Sequence, residues 1–89
     1  MDFKVGEMVK FKGIYSWRDR YVFGIIVTEK ISRRNDTKSN GYEYGYKIRL
    51  LHDYKWETSP YMWYRNKVYY MVEERLEKAK KWEFISELL

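Results

Sequence analysis

From Arg20 to Ile31 the chain reads Arg-Tyr-Val-Phe-Gly-Ile-Ile-Val-Thr-Glu-Lys-Ile. With a period of two, Tyr21, Phe23, Ile25 and Val27 share one face, and Val22, Gly24, Ile26 and Thr28 share the other. A strand that is largely apolar on both faces has no side to turn to water, so this run predicts a central strand. Gly24 inside it predicts a bulge or sharp bend, as strongly curved small sheets require. The whole chain has 89 residues, which leaves room for one domain, residues 1–89, around that strand.

The flanking segments supply its partners. Met8 to Phe11 alternates between Gly6 and Gly13 and reads as a short first strand. Ile14 to Asp19 is a loop carrying Tyr15 and Trp17. Ser32 to Gly41 is polar throughout and ends in Asn40-Gly41, which predicts a mobile hairpin loop. Tyr42 to Leu51 alternates again, with Tyr42, Tyr44, Tyr46, Ile48 and Leu50 on one face and Glu43, Gly45, Lys47, Arg49 and Leu51 on the other. That strand is half buried and half wet. His52 to Pro60 is a connection with Tyr54 and Trp56, and Tyr61–Tyr64 with Lys67–Val72 predicts a last hairpin turning near Arg65-Asn66.

From Glu73 the period lengthens: Leu76, Ala79, Trp82, Ile85 and Leu89 recur every three or four residues. Glu74–Lys78 and Glu77–Lys81 are acid-before-base pairs four apart. Residues 73–89 therefore predict a C-terminal helix following a β unit over about residues 1–72. In the competing reading, Glu74 to Lys78 forms a last short strand and only Lys80 to Leu89 is helical.

Composition excludes several classes. The chain has no Cys, which removes disulfides, thiolate nucleophiles and thiolate zinc sites. The longest apolar run, Tyr21 to Val27, falls far short of the ~20 residues that span a bilayer, and Met1 to Lys12 does not pattern as a signal peptide. A cytoplasmic compartment, with no membrane partner, is the expectation.

Four or five short strands followed by a helix predict a mainly β fold, a small, strongly bent barrel. Val5-Gly6-Glu7-Met8-Val9-Lys10-Phe11 resembles the first strand of Src-homology-3-like (SH3-like) barrels, and Gly24-Ile25-Ile26-Val27 resembles their glycine-led second strand. The Sm-like barrels are a close architectural relative, and small proteins of tailed phages and microbes share this look. The resemblance covers the pattern of residues 5 to 72 and implies the fold; no site residue is carried over from it.

Catalysis lacks a constellation. His52 is the only histidine, and its neighbour Asp53 would point to the opposite face of a strand. Asp19, Asp36 and Asp53 are dispersed, no glycine-rich phosphate loop is present, and neither a metal nor another cofactor is expected. Asn35-Asp36-Thr37 fits a glycosylation sequon with nothing to indicate secretion. Binding is the better class. Residues 1–72 carry fourteen Lys and Arg against eight Asp and Glu, a net +6, whereas residues 73–89 carry four against five. Aromatic and basic side chains interleave at residues 15–18, 54–56 and 61–65, the mixture that single-stranded nucleic acid uses for stacking and phosphate contact. The predicted platform is Trp17, Tyr54, Trp56, Tyr61 and Trp63, with Arg18, Arg33, Arg34 and Arg65 on phosphate and Lys38 helping the loop to clamp.

Two considerations weigh against it. A small barrel must fill its core with some of these rings, and its positive charge is spread evenly, +2 in each of residues 1–30 and 31–60. The alternative is assembly, as a homo-oligomer or on a protein partner, through a free strand edge or the apolar stripe Leu76, Trp82, Ile85 and Leu89. If the helix instead caps an open barrel end, that stripe is internal.

Overall fold

The computed structural model describes residues 2–12, 21–55 and 61–88. The strands are β1 (Met8–Lys12), β2 (Tyr21–Ile26), β3 (Ile31–Arg34), β4 (Tyr42–Leu50), β5 (Tyr54–Lys55), β6 (Met62–Trp63), β7 (Val68–Val72) and β8 (Glu77–Lys78). A 3-10 turn at Glu73–Arg75 precedes β8, and the helix α1 (Lys81–Leu88) follows it.

β4 organises the sheet. Gly45 pairs with Ile31 and with Val72, and Ile48 pairs with Ile26 and with Tyr69, so β7 lies along one edge of β4 while β2 and β3 share the other. β2 and β3 are thus one bent strand. Between the pairs Ile26↔Ile48 and Ile31↔Gly45, four residues (27–30) face two (46 and 47). The Thr28 hydroxyl fills the gap by accepting from the Lys47 N–H at 3.1 Å. The bend expected at Gly24 is not there, since Gly24 sits in regular pairing with Val9 and Leu50; the chain bends instead at residues 27–30.

Chain length dictates the curl. β8 pairs with β1, giving the strand path β8-β1-β2/β3-β4-β7, whose ends lie four strand spacings apart, about 19 Å if the sheet were flat. Val72 and Glu77 are joined only through the 3-10 turn and Leu76, a bridge of about 13 Å. The sheet must bend until its ends approach, and the result is a curled half-barrel of mainly β structure with a short C-terminal helix.

The concave side holds Val9, Phe11, Val22, Ile26, Tyr46, Ile48, Leu50, Met71 and Leu76, with Phe3 closing one end. Tyr46 is 1% exposed. Its ring meets Phe3 edge-on at 5.4 Å, and its hydroxyl accepts from the Phe3 N–H at 3.1 Å, so the buried oxygen is satisfied.

Three further sequence expectations are corrected. The long helix over 73–89 is shorter: Glu77 and Lys78 pair with Lys10 and Val9, and Leu76 is 5% exposed in the core. An unpaired β1 edge and a cavity for one leucine outweigh helix propensity there. This agrees with the competing reading of a short strand followed by a short helix. Tyr61–Tyr64 and Lys67–Val72 do not form a hairpin; β6 pairs with β5 (Tyr54↔Trp63) and β7 with β4. Finally, the polar loop starts only after Arg34, so Arg33 and Arg34 are strand residues on opposite faces of β3.

α1 lies against the convex side. The Glu83 carboxylate accepts from the Lys80 N–H at 2.9 Å, half of a capping box, and its other oxygen pairs with the Lys10 ammonium on β1. Phe84 packs on Phe23 at 5.5 Å and on the His52 ring at 6.0 Å. Phe23, although on the convex face of β2, is consequently only 2% exposed.

Candidate functional site

Among the described residues nothing covers the convex faces of β3, β4 and β7 in this way. Register places Ile31 and Arg33, then Glu43, Gly45, Lys47 and Arg49, then Val68, Tyr70 and Val72 on that side. Among these described positions Glu43 is the one carboxylate, and Arg33, Lys47 and Arg49 form no salt bridge with any described residue.

Across β4, between β3 and the end of β7, this face deepens into a groove of about 520 Å³. Arg33, Arg34 and Arg75 line it together with Asn35, Glu43, Trp63 and Tyr70. Arg34 reaches the groove from the opposite face of β3, with its Nε held by Asp36 at 3.2 Å. Arg75 arrives on the 3-10 turn, whose neighbouring carboxylates are tied down: Lys30 pairs with Glu73 at 3.1 Å and Lys38 with Glu74 at 3.0 Å. Lys38 thus anchors the β3–β4 turn to the 3-10 turn, in place of the clamp expected of it.

Tyr70 is the centre of the site. Its ring crosses Gly45, where a Cβ would lie 2.5 Å from the ring and from the Met71 carbonyl oxygen. Only glycine leaves that space, and this accounts for Gly45 in mid-strand. The Arg33 guanidinium lies over the Tyr70 ring, 4.4 Å from its centroid, as a cation–π pair. The Tyr70 hydroxyl donates to Glu43 Oε2 at 3.3 Å, and Asn35 Nδ2 donates to Oε1 at 3.2 Å. Burial, followed by the adjacent Glu43 carboxylate, pushes the Tyr70 phenol above its ordinary value, so it stays protonated at neutral pH.

Of the predicted nucleic-acid residues, the structure brings Arg33, Arg34 and Trp63 into this groove. Trp63 is less of a platform than expected: its indole stacks on Tyr69 at 4.4 Å with 3° between planes, and Phe11 meets it edge-on at 5.8 Å. Tyr54, its cross-strand partner, is half-buried against the core. Tyr61, just before β6, is 72% exposed. Arg65 lies elsewhere, in a recess with His52, Asp53 and Phe84, its N–H donating to Asp53 at 2.7 Å. Trp17, Arg18 and Trp56 fall outside the described residues, as does Leu89. The stripe proposed for a partner is split: Leu76 belongs to the core, whereas Trp82 and Ile85 on α1 are 63% and 49% exposed. Sequence reasoning missed Tyr70 and Arg75, and it noted Lys47 and Arg49 only as the wet half of β4.

His52 is engaged at both nitrogens. Nε2 accepts from the Phe23 N–H at 3.1 Å, and Nδ1 lies 3.0 Å from the Asp53 carbonyl oxygen, which can only accept, so Nδ1 carries the proton. Among the described residues no cluster of three His, Cys, Asp or Glu is placed to hold a metal ion. No helix among them is long and apolar enough to cross a membrane. No protein-family model, curated protein or solved structure matches this chain.

Proposed function

We propose that this protein is a non-enzymatic binding module, a small barrel of the SH3-like or Sm-like type, that takes single-stranded nucleic acid along its bare convex face. The curl of the sheet, with the last strand returning to pair with the first, supports the barrel type. The groove carries the ligand class: three arginines converge beside two aromatic walls, Trp63 and Tyr70. Guanidinium groups suit phosphate oxygens, and their planes also stack on the flat faces of bases. Arg33 is pre-oriented by Tyr70 and loses little freedom on binding. Lys47 and Arg49 extend the positive track away from the groove along β4. A cytoplasmic location fits such a ligand.

Titration of intrinsic tryptophan fluorescence with an unstructured oligonucleotide, at low and near-physiological salt, tests this reading against a flexible polyanion lacking bases. Saturable quenching that exceeds the polyanion control and partly survives the higher salt is the expected result. A response matched by the polyanion would reduce the site to general basicity.

A second reading rests on α1. Its Phe84 side is anchored to the sheet while Trp82 and Ile85 face outward, which suits a protein partner or a second copy. A monomeric native mass at micromolar concentration, unchanged by Trp82→Ser with Ile85→Ser, would remove the second copy.

A further inference from the structure

Glu43 stands directly opposite Arg33 across β3 and β4, yet the two form no salt bridge. The guanidinium is turned onto the Tyr70 ring, and the carboxylate is held instead by two neutral donors, Asn35 Nδ2 and the Tyr70 hydroxyl. These donors come from different parts of the chain, the turn after β3 and the strand β7. They fix the carboxylate among three arginines without neutralising it, and each oxygen keeps a further lone pair.

A groove that only followed phosphates would gain nothing from this arrangement, because the carboxylate repels the backbone it has to bind. A groove that also reads a base has a use for it. Guanine presents two adjacent donors on its Watson–Crick edge, N1–H and the N2 amino group, which one carboxylate accepts together. Its O6 and N7 are acceptors matched to a guanidinium. Both edges are open in a single strand. Adenine and cytosine offer a carboxylate only one amino group, and thymine or uracil only one ring N–H flanked by carbonyls that repel it.

We infer that the groove prefers guanine within a single strand, with Glu43 as the specificity-determining residue. This inference rests on the nucleic-acid reading above. Glu43 accepts from the Watson–Crick edge, the arginines hold the flanking phosphates or the O6 and N7 acceptors, and Tyr70 and Asn35 position the carboxylate.

The test compares thymidine nonamers whose central base is guanine, adenine, hypoxanthine or thymine, measured by fluorescence anisotropy of end-labelled strands. The guanine strand is expected to bind roughly tenfold tighter than the adenine strand, the scale of one bidentate base contact. Hypoxanthine lacks only the N2 amino group, so it should lose most of that advantage. Glu43→Gln, with its melting temperature measured alongside, should lose the preference and bind the guanine and adenine strands equally. Equal affinity for guanine and adenine strands in the natural chain overturns the inference and leaves the nucleic-acid reading standing. So does a preference that survives in folded Glu43→Gln. Failure of every strand to bind overturns both. If Glu43→Gln does not fold, the hypoxanthine comparison in the natural chain still decides, because equal guanine and hypoxanthine affinities overturn the two-donor contact.

Discussion

The two halves of the convex surface are built from the same alternation and end in opposite states. Over β1 and β2, the outward residues Lys10 and Phe23 are covered: Phe84 and His52 bury Phe23, and Glu83 takes the Lys10 ammonium. Over β3, β4 and β7, Arg33, Lys47 and Arg49 stand without carboxylate partners among the described residues, around a tyrosine seated on a glycine. One half has been turned into a second small core and the other left as a charged face. The acids show the same division. Glu83 on α1 and Glu73 and Glu74 on the 3-10 turn are occupied by lysines, while Glu43 on the bare face is held by neutral donors. A +5 chain can therefore present a strongly basic surface without a run of basic residues in its sequence.

The sharpest way to break the comparison is to truncate outward residues in each half. Phe23→Ala should cost about 3 kcal/mol in denaturant unfolding, as for a buried phenylalanine. Lys47→Ala with Arg49→Ala should stay within about 0.5 kcal/mol of the natural chain. Comparable losses in the two variants would mean that the halves do not differ in packing. Next in size is Gly45→Ala, whose Cβ meets the Met71 carbonyl oxygen and the Tyr70 ring. A cost of about 1–3 kcal/mol is expected, with Tyr70 displaced and oligonucleotide affinity reduced. Unchanged affinity at full folding would detach Tyr70 from the site.

Arg33→Ala with Arg34→Ala acts mainly on binding. The slope of log affinity against log salt should become shallower by about 1.4, two phosphate contacts at about 0.7 each on a single strand. An unchanged slope would place the contacts elsewhere. The smallest effect concerns the covered half. The Lys10 hydrogen bond, then the Lys80 N–H, hold the Glu83 carboxyl below its ordinary value. A carboxyl depressed on folding stabilises above its unfolded pKa, and that contribution is lost as pH falls through the carboxylate range. Glu83→Gln should thus be the less stable chain at neutral pH, with the gap to the natural chain closing on acidification. A gap that does not change with pH would separate α1 docking from that ion pair.

The sequence carried the strands that alternate, and lost the features set by pairing partners at a distance. The β4 pattern put Tyr42, Tyr44, Tyr46, Ile48 and Leu50 on one face, because a period of two needs no knowledge of neighbours; the last three are buried, while Tyr42 and Tyr44 are exposed. Leu76 looked like one of a helical stripe because periodicity cannot see the open edge of β1 that draws Glu77 and Lys78 into pairing. Arg33 and Arg34 looked like loop residues because their polarity hid a strand whose support comes from β4. Within the site, Trp63 was legible from the mixing of basic and aromatic residues, and Arg33 and Arg34 from their place in a polar segment read as a clamp. Tyr70 was not, since nothing local marks one tyrosine among ten. The usable signal was Gly45, an interior strand glycine that implies a close approach from the next strand.

Amide chemical-shift mapping of the natural chain, titrated with an unstructured single-stranded oligonucleotide, addresses the division between the two halves directly. Perturbations confined to Arg33, Arg34, Glu43, Lys47, Tyr70 and Arg75, with Lys10, Phe23 and Phe84 unmoved, are the predicted result. Perturbations centred on Trp82 and Ile85, or spread equally over both halves, would contradict the account.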